Sequence, residues 1–346
     1  IEGRHSLIVP DKQMHDFMFL LDFSPSGIEV LNKNLKRGDR VRVIKGPLQG
    51  LEGELVRLMG HKRVVIRLEG VVSIATSYIP GSFLERVEEK KMMEKGLFHE
   101  LYGRLREVDF RSFPPDKQSG YLHGYLTVYA MVRVYPWLEA DFGTPHEIHE
   151  RAKDIARRYE VLVRKKDLPA DTRAGYAADL MDVYQLHSDL EFLEQGVDAA
   201  YDILTPWGSD KLVLPCRTPN ACRLLCNCYY FTGDEECGKL AGKLVTEALG
   251  YTRGSYRGDL LDWWEAICLY DDVIGLLELP LEERERLKGE RARLSARVRQ
   301  VEDEMIEQLA REGEFSPAGS GQVFYILAKR EFAARNMEFE KKNKYI

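Results

Sequence analysis

The chain has no run of about 18 apolar residues, and its N-terminus lacks the apolar core of a secretion signal. A cytoplasmic protein with no membrane partner is therefore expected, and in that compartment disulfides are not. Gly-rich nucleotide motifs are missing too. The stretch Pro317-Ala318-Gly319-Ser320-Gly321 has too few glycines, wrongly spaced, for a phosphate loop. No Ser/His/Asp arrangement can be assembled, and no Cys-x-x-Cys pair exists. Cys216, Cys222, Cys226, Cys228 and Cys237 do fall within 22 residues, with Cys222 and Cys226 on one helix face. Thiolates so placed could bind zinc, but free cysteine is among the most buried residue types, and burial in a helix is the expected reading. His146 and His149, beside Glu147 and Glu150, lack a further ligand and read as surface polar residues. Neither a metal nor a cofactor is expected, and the chain does not read as an enzyme.

At 346 residues and 39.9 kDa the chain exceeds the size at which one core keeps growing, so more than one domain is expected. Its 44% hydrophobic and 31% charged content is that of a globular protein. Charge is unevenly spread. From Lys33 to Arg67 there are ten Lys or Arg and only Asp39, Glu52 and Glu54 as acids, a local balance of +7 in a chain whose total is -6. The remainder is acidic, so the early segment is the part suited to nucleic acid or an acidic partner.

That basic segment also has the clearest pattern. Arg40-Val41-Arg42-Val43 alternates as a half-buried strand does, valines inward and arginines in water. Gly46-Pro47 ends it, since proline cannot donate to a ladder and glycine tolerates a turn. Gly53 to Leu58 reads as the next strand, Gly60-His61 as a tight turn into Arg63 to Leu68, and Ile74 to Ile79 as a fourth strand. Short strands joined by Gly-rich turns predict a small barrel.

The run Gly38 to Gly53, with glycines at 46, 50 and 53, resembles a KOW motif, the mark of an SH3-like barrel in transcription elongation factors and ribosomal proteins. Pro10 to Met14 with Phe17 to Leu21, then Val64 to Leu68 and Ala75 to Pro80, resemble NusG-like antiterminators of the UpxY type over residues 8–88. The resemblance implies a remnant of a NusG-like N-terminal domain at 1–30, a KOW barrel at 31–88 and an antitermination role. It implies that Arg40, Arg42, Lys45, Lys62 and Arg63, with Pro47 and Leu48 in the loop, contact RNA, DNA, RNA polymerase or a ribosomal protein. Family members often dock protein through the apolar loop after the Gly-Pro turn, where this chain has Leu48 in place of a common aromatic.

Residues 89–118 read as a charged linker that continues helically through Met92, Met93, Leu97 and Leu101 and breaks at Pro114-Pro115. Residues 119–346 read as helical hairpins. Ile148, Ala152, Ile155, Tyr159 and Leu162 mark an amphipathic helix, capped by Thr144 with Pro145 in its first turn. Leu180, Tyr184, Asp189, Ala200 and Leu204 recur 45 residues later as Leu225, Tyr229, Asp234, Val245 and Leu249, and a weaker copy precedes them near 119–164. An α-solenoid or α/α-toroid-like domain is expected, acting as an interaction module for a protein partner. From Leu281 to about Arg311 a polar helix carries Leu287, Leu294, Val298, Val301, Met305 and Leu309 at heptad-like spacing, expected to pack on its own domain, with dimerisation as the alternative. The other functional alternative is a carbohydrate-active or otherwise hydrolytic helical domain tethered by the barrel. It would use Asp259, Asp262, Glu265, Asp271 and Asp272 around Trp263 and Trp264, whose plain reading is a helix with tryptophan packed and acids outside.

Overall fold

The computed structural model describes residues 14, 17–18, 29–31, 38–43, 48, 51–58, 61–68, 72–76, 84–187, 190–205, 211–250, 257–271, 276–313 and 320–343. The chain divides into two compact units, residues 1–96 and 97–346.

The first unit is a six-stranded antiparallel sheet: β1 (Glu29–Leu31), β2 (Asp39–Val43), β3 (Glu52–Leu58), β4 (His61–Leu68), β5 (Val72–Ala75) and β6 (Leu84–Arg86), in the order β1-β5-β4-β3-β2-β6. The expected alternation holds on β2, where Val41 and Val43 are buried and Arg40 is exposed. β4 is central and buries both faces: Val64 and Ile66 join Val41, Val43, Leu51 and Ile74, while Val65 joins Val56 and Ala75. Two glycines are required by close approach of neighbouring strands. A Cβ on Gly53 would stand 2.6 Å from both the Val65 carbonyl oxygen and a Val64 methyl, and one on Gly38 would collide with the Leu55 carbonyl. The expected barrel closure is not seen. β1 and β6 pair on one side each among the described residues, which leaves the sheet open there.

The second unit is helical. Helix α1 (Val87–Leu105) enters it, followed by α2 (Ser119–Val134), α3 (Pro145–Leu162), α4 (Ala170–His187), α5 (Leu190–Leu204), α6 (Pro219–Thr232), α7 (Glu235–Gly250), α8 (Arg257–Tyr270), α9 (Leu281–Glu312) and α10 (Ser320–Asn343). Alternate helices pack on one another, α2 on α4, α4 on α6 and α6 on α8, and α10 lies along α2. The odd-numbered partners α5 and α7 complete hairpins with α4 and α6. Local chemistry explains several boundaries. Thr144 caps α3 with Pro145 in the first turn, as the sequence predicts, and Glu147 completes a reciprocal capping box with it. The α6–α7 turn uses Gly233 at φ 73°, and Asp234 accepts the Glu236 N–H at 3.0 Å to cap α7. Asp189, the corresponding cap expected one repeat earlier, lies outside the described residues.

One expectation needs correcting. The segment read as a linker at 89–118 is part of the helical core from residue 97 onward: Phe98, Leu101, Tyr102, Leu105, Phe110 and Phe113 are buried. Charge dominates its start, but Phe98, Leu101, Tyr102 and Leu105 recur at helical spacing, and the Phe98 and Phe110 rings pack on Phe142, Phe324, Tyr121 and Tyr125 at centroid distances of 5.2 to 6.1 Å. On α9, Leu287, Leu294, Val298 and Leu309 are buried in the unit's own core, with Val301 and Met305 partly buried against it.

Candidate functional site

The basic residues expected to bind are placed unevenly. Arg40 and Arg42 lie on β2, and both turn toward Glu52 on β3. Arg42 donates to its Oε1 from Nε at 3.0 Å and Nη2 at 2.8 Å, while Arg40 comes only within 3.7 Å and is 57% exposed. Glu52 therefore largely neutralises Arg42 and leaves Arg40 as the more available cation. Arg63 is half-buried on β4 opposite Val56. Leu48 packs against the sheet's own apolar cluster. Lys45, Pro47 and the Lys62 side chain lie outside the described residues.

Among the described residues, the groups weighed for metal or hydrolysis form no cluster that could hold a metal ion. Cys222, Cys226, Cys228 and Cys237 are buried as expected. The Cys228 thiol is pushed up by its hydrogen bond with Cys237 and by burial, and that of Cys222 by its hydrogen bond with Cys226 and by burial, so both stay protonated. His146 is exposed, while His149 is half-buried beside the Tyr129 ring at 5.9 Å. Asp262 is exposed, Asp271 pairs with Arg291, and Glu265 holds Lys329 at 3.4 Å. Trp263 and Trp264 pack partly buried against the core. The side chains of Asp259 and Asp272 lie outside the described residues.

A different set does converge, on the even-numbered helices. His123 comes from α2, Asp179 and Asp182 from α4, and Arg223 and Asn227 from α6. Arg223 Nη2 lies 2.8 Å from Asp179 Oδ1, 2.7 Å from Asp182 Oδ2 and 3.1 Å from His123 Nε2. The same imidazole nitrogen is 3.1 Å from Asp182 Oδ2 and 3.4 Å from Asp179 Oδ1. Asn227 Nδ2 donates to Asp182 Oδ1 at 2.9 Å and to the Ala178 carbonyl at 3.2 Å, and Ser119 Oγ lies 3.4 Å from His123 Nδ1. Tyr325 on α10 lies tilted beside the imidazole, its centroid 5.4 Å away, and Lys329 sits 4.2 Å above the Tyr325 ring. Side-chain exposures of 11% for His123, 2% for Asp179, 15% for Asp182 and 8% for Arg223 put this network out of bulk water.

Burial alone would disfavour every charge here. For Arg223 and His123 it is outweighed by the two aspartates, which hold both bases above their ordinary values. Burial likewise opposes the Asp182 carboxylate, yet its hydrogen bond with His123 and the Arg223 charge hold it below the usual range. The Tyr325 hydroxyl is pushed well up by burial and by Glu265, and stays neutral. Cavities of about 500 Å³ and about 230 Å³ lie along α3 and the 107–110 segment, and no residue of the network lines either.

The network is absent from the expectations above, although the sequence carried a trace of it. Asp182 and Asn227 are separated by 45 residues, the repeat offset, so equivalent positions of successive hairpins meet in one hydrogen bond. Asp179 and Arg223 interrupt apolar runs, Ala177-Ala178-Asp179-Leu180-Met181 and Cys222-Arg223-Leu224-Leu225, where an unpaired charge would be expensive. Among the described residues no helix is long and apolar enough to cross a membrane. No family model matches this chain, and neither does any curated protein or solved structure.

Proposed function

We propose that the chain is a transcription regulator of the NusG-like antitermination type. In this reading residues 31–88 are a KOW-type domain, its antiparallel sheet open at β1 and β6 rather than closed into a barrel, that contacts nucleic acid, RNA polymerase or a ribosomal protein. The helical unit is an α-solenoid or α/α-toroid-like interaction module. The observation that carries the reading is the Gly38–Gly53 segment. It supplies β2 and the start of β3, and its first and last glycines are fixed by strands that leave no room for a Cβ. The antiparallel run β2-β3-β4-β5 and the exposed Arg40 support it further.

The test is binding of the full chain to an elongation complex assembled from purified RNA polymerase, template DNA and a short RNA. Saturable binding that weakens with added salt is expected, because cation–phosphate contacts release counterions. Arg40→Ala should weaken it more than Arg42→Ala, whose charge Glu52 already holds. Absence of binding even at low salt would count against the proposal.

A further inference from the structure

The buried network of the helical unit has a property that its ion pairs do not explain. His123 Nε2 stands 3.1 Å from a carboxylate oxygen that can only accept and 3.1 Å from a guanidinium nitrogen that can only donate. Arg223 Nη2 carries two hydrogens, which the Asp179 and Asp182 oxygens take at 2.8 and 2.7 Å, so an imidazole that donates to Asp182 meets the guanidinium 3.1 Å away with no hydrogen bond between them. A protonated imidazole satisfies Asp182 and faces the Arg223 donor. A neutral one accepting from Arg223 faces the Asp182 lone pairs.

A divalent cation in place of the guanidinium would end that approach of two donors. His123 Nε2, an Asp179 oxygen and an Asp182 oxygen all lie within 4.8 Å of one another. The nitrogen-to-oxygen separations are 3.1 and 3.4 Å. Ligands about 2.1 Å from a common ion stand roughly 3.0 Å apart when octahedral neighbours and about 3.4 Å apart when tetrahedral. The two nitrogen-to-oxygen spacings thus suit neighbouring ligands of one ion as well as the hydrogen bond and ion pair now made there. The surrounding bonds are those that orient ligands: Asn227 holds the second Asp182 oxygen, and Ser119 lies against Nδ1, directing Nε2 inward.

We propose that His123, Asp179 and Asp182 form a binding site for a first-row divalent cation, with the Arg223 guanidinium as an internal competitor for the same three atoms. One imidazole with two carboxylates favours zinc, manganese or iron over magnesium or calcium. Metal entry displaces the guanidinium from these three atoms. The assignment is independent of the transcription reading, since it concerns residues 97–346 alone.

The experiment is a titration of chelator-treated full-length protein with zinc and with manganese, read by calorimetry and by melting temperature. One equivalent should bind to the wild type. Arg223→Met, which removes the competitor and leaves the aspartates in place, should bind at least tenfold more tightly and recover melting temperature on metal addition. Asn227→Ala should weaken binding roughly 10- to 100-fold, and His123→Ala should abolish that equivalent. A His146→Ala, His149→Ala double variant should bind as the wild type does. Stoichiometric binding that survives His123→Ala, or no binding by either the wild type or Arg223→Met, would overturn the assignment.

Discussion

At the scale of single residues, the helical unit depends on one guanidinium. Arg223 carries the positive charge that two buried aspartates need, and its partners lie 41, 44 and 100 residues away in sequence. Removing one member of a buried ion pair leaves the others uncompensated. Without metal, Arg223→Met should therefore cost about 3–5 kcal/mol in a urea titration. A loss under 1 kcal/mol would mean that water or other cations already screen the aspartates. The same separations explain why the network left only a faint trace in the sequence. Nothing in the neighbourhood of His123 announces a partner 59 residues later on α4, because the pairing exists only once α2 and α4 pack.

At the scale of elements, legibility follows how local the chemistry is. Thr144-Pro145 predicts its helix start because a cap is settled within four residues, and the structure shows that capping box. Thr144→Ala should cost about 1 kcal/mol. Glu147, at the other end of the box, has its carboxyl held below the ordinary range by the Thr144 backbone and side chain. A depressed folded-state pKa stabilises above the ordinary carboxylate range and is lost as pH falls through the folded value. The melting-temperature gap between wild type and Glu147→Gln should thus be present at neutral pH and close in acid. A gap unchanged down to pH 2 would contradict this role. The 89–118 segment fails the same criterion: its charged start is local and visible, whereas its burial depends on Phe142 and Phe324 far along the chain. Between α2 and α10 the fit is tight enough that a Cβ on Gly124 would collide with the Phe324 ring. Gly124→Ala should cost about 1–3 kcal/mol, measured by the same titration, and no loss would mean that the two helices can shift apart freely.

At the scale of the molecule, two units differ in both architecture and charge. The sheet unit carries the basic run from Lys33 to Arg67, while the chain as a whole is acidic at -6. Of the glycines of residues 38–53, Gly38 is set by the Leu55 backbone and Gly53 by the Val65 carbonyl together with a Val64 methyl. The helical hairpins were legible as a 45-residue offset, but what they gather at their common face was not. The central claim, that this chain acts on elongating polymerase, is met most directly by transcription with purified polymerase through a terminator. Adding the full chain should raise read-through in a saturable manner, and Arg40→Ala should reduce the gain. Read-through unchanged at every concentration of the folded protein would contradict it.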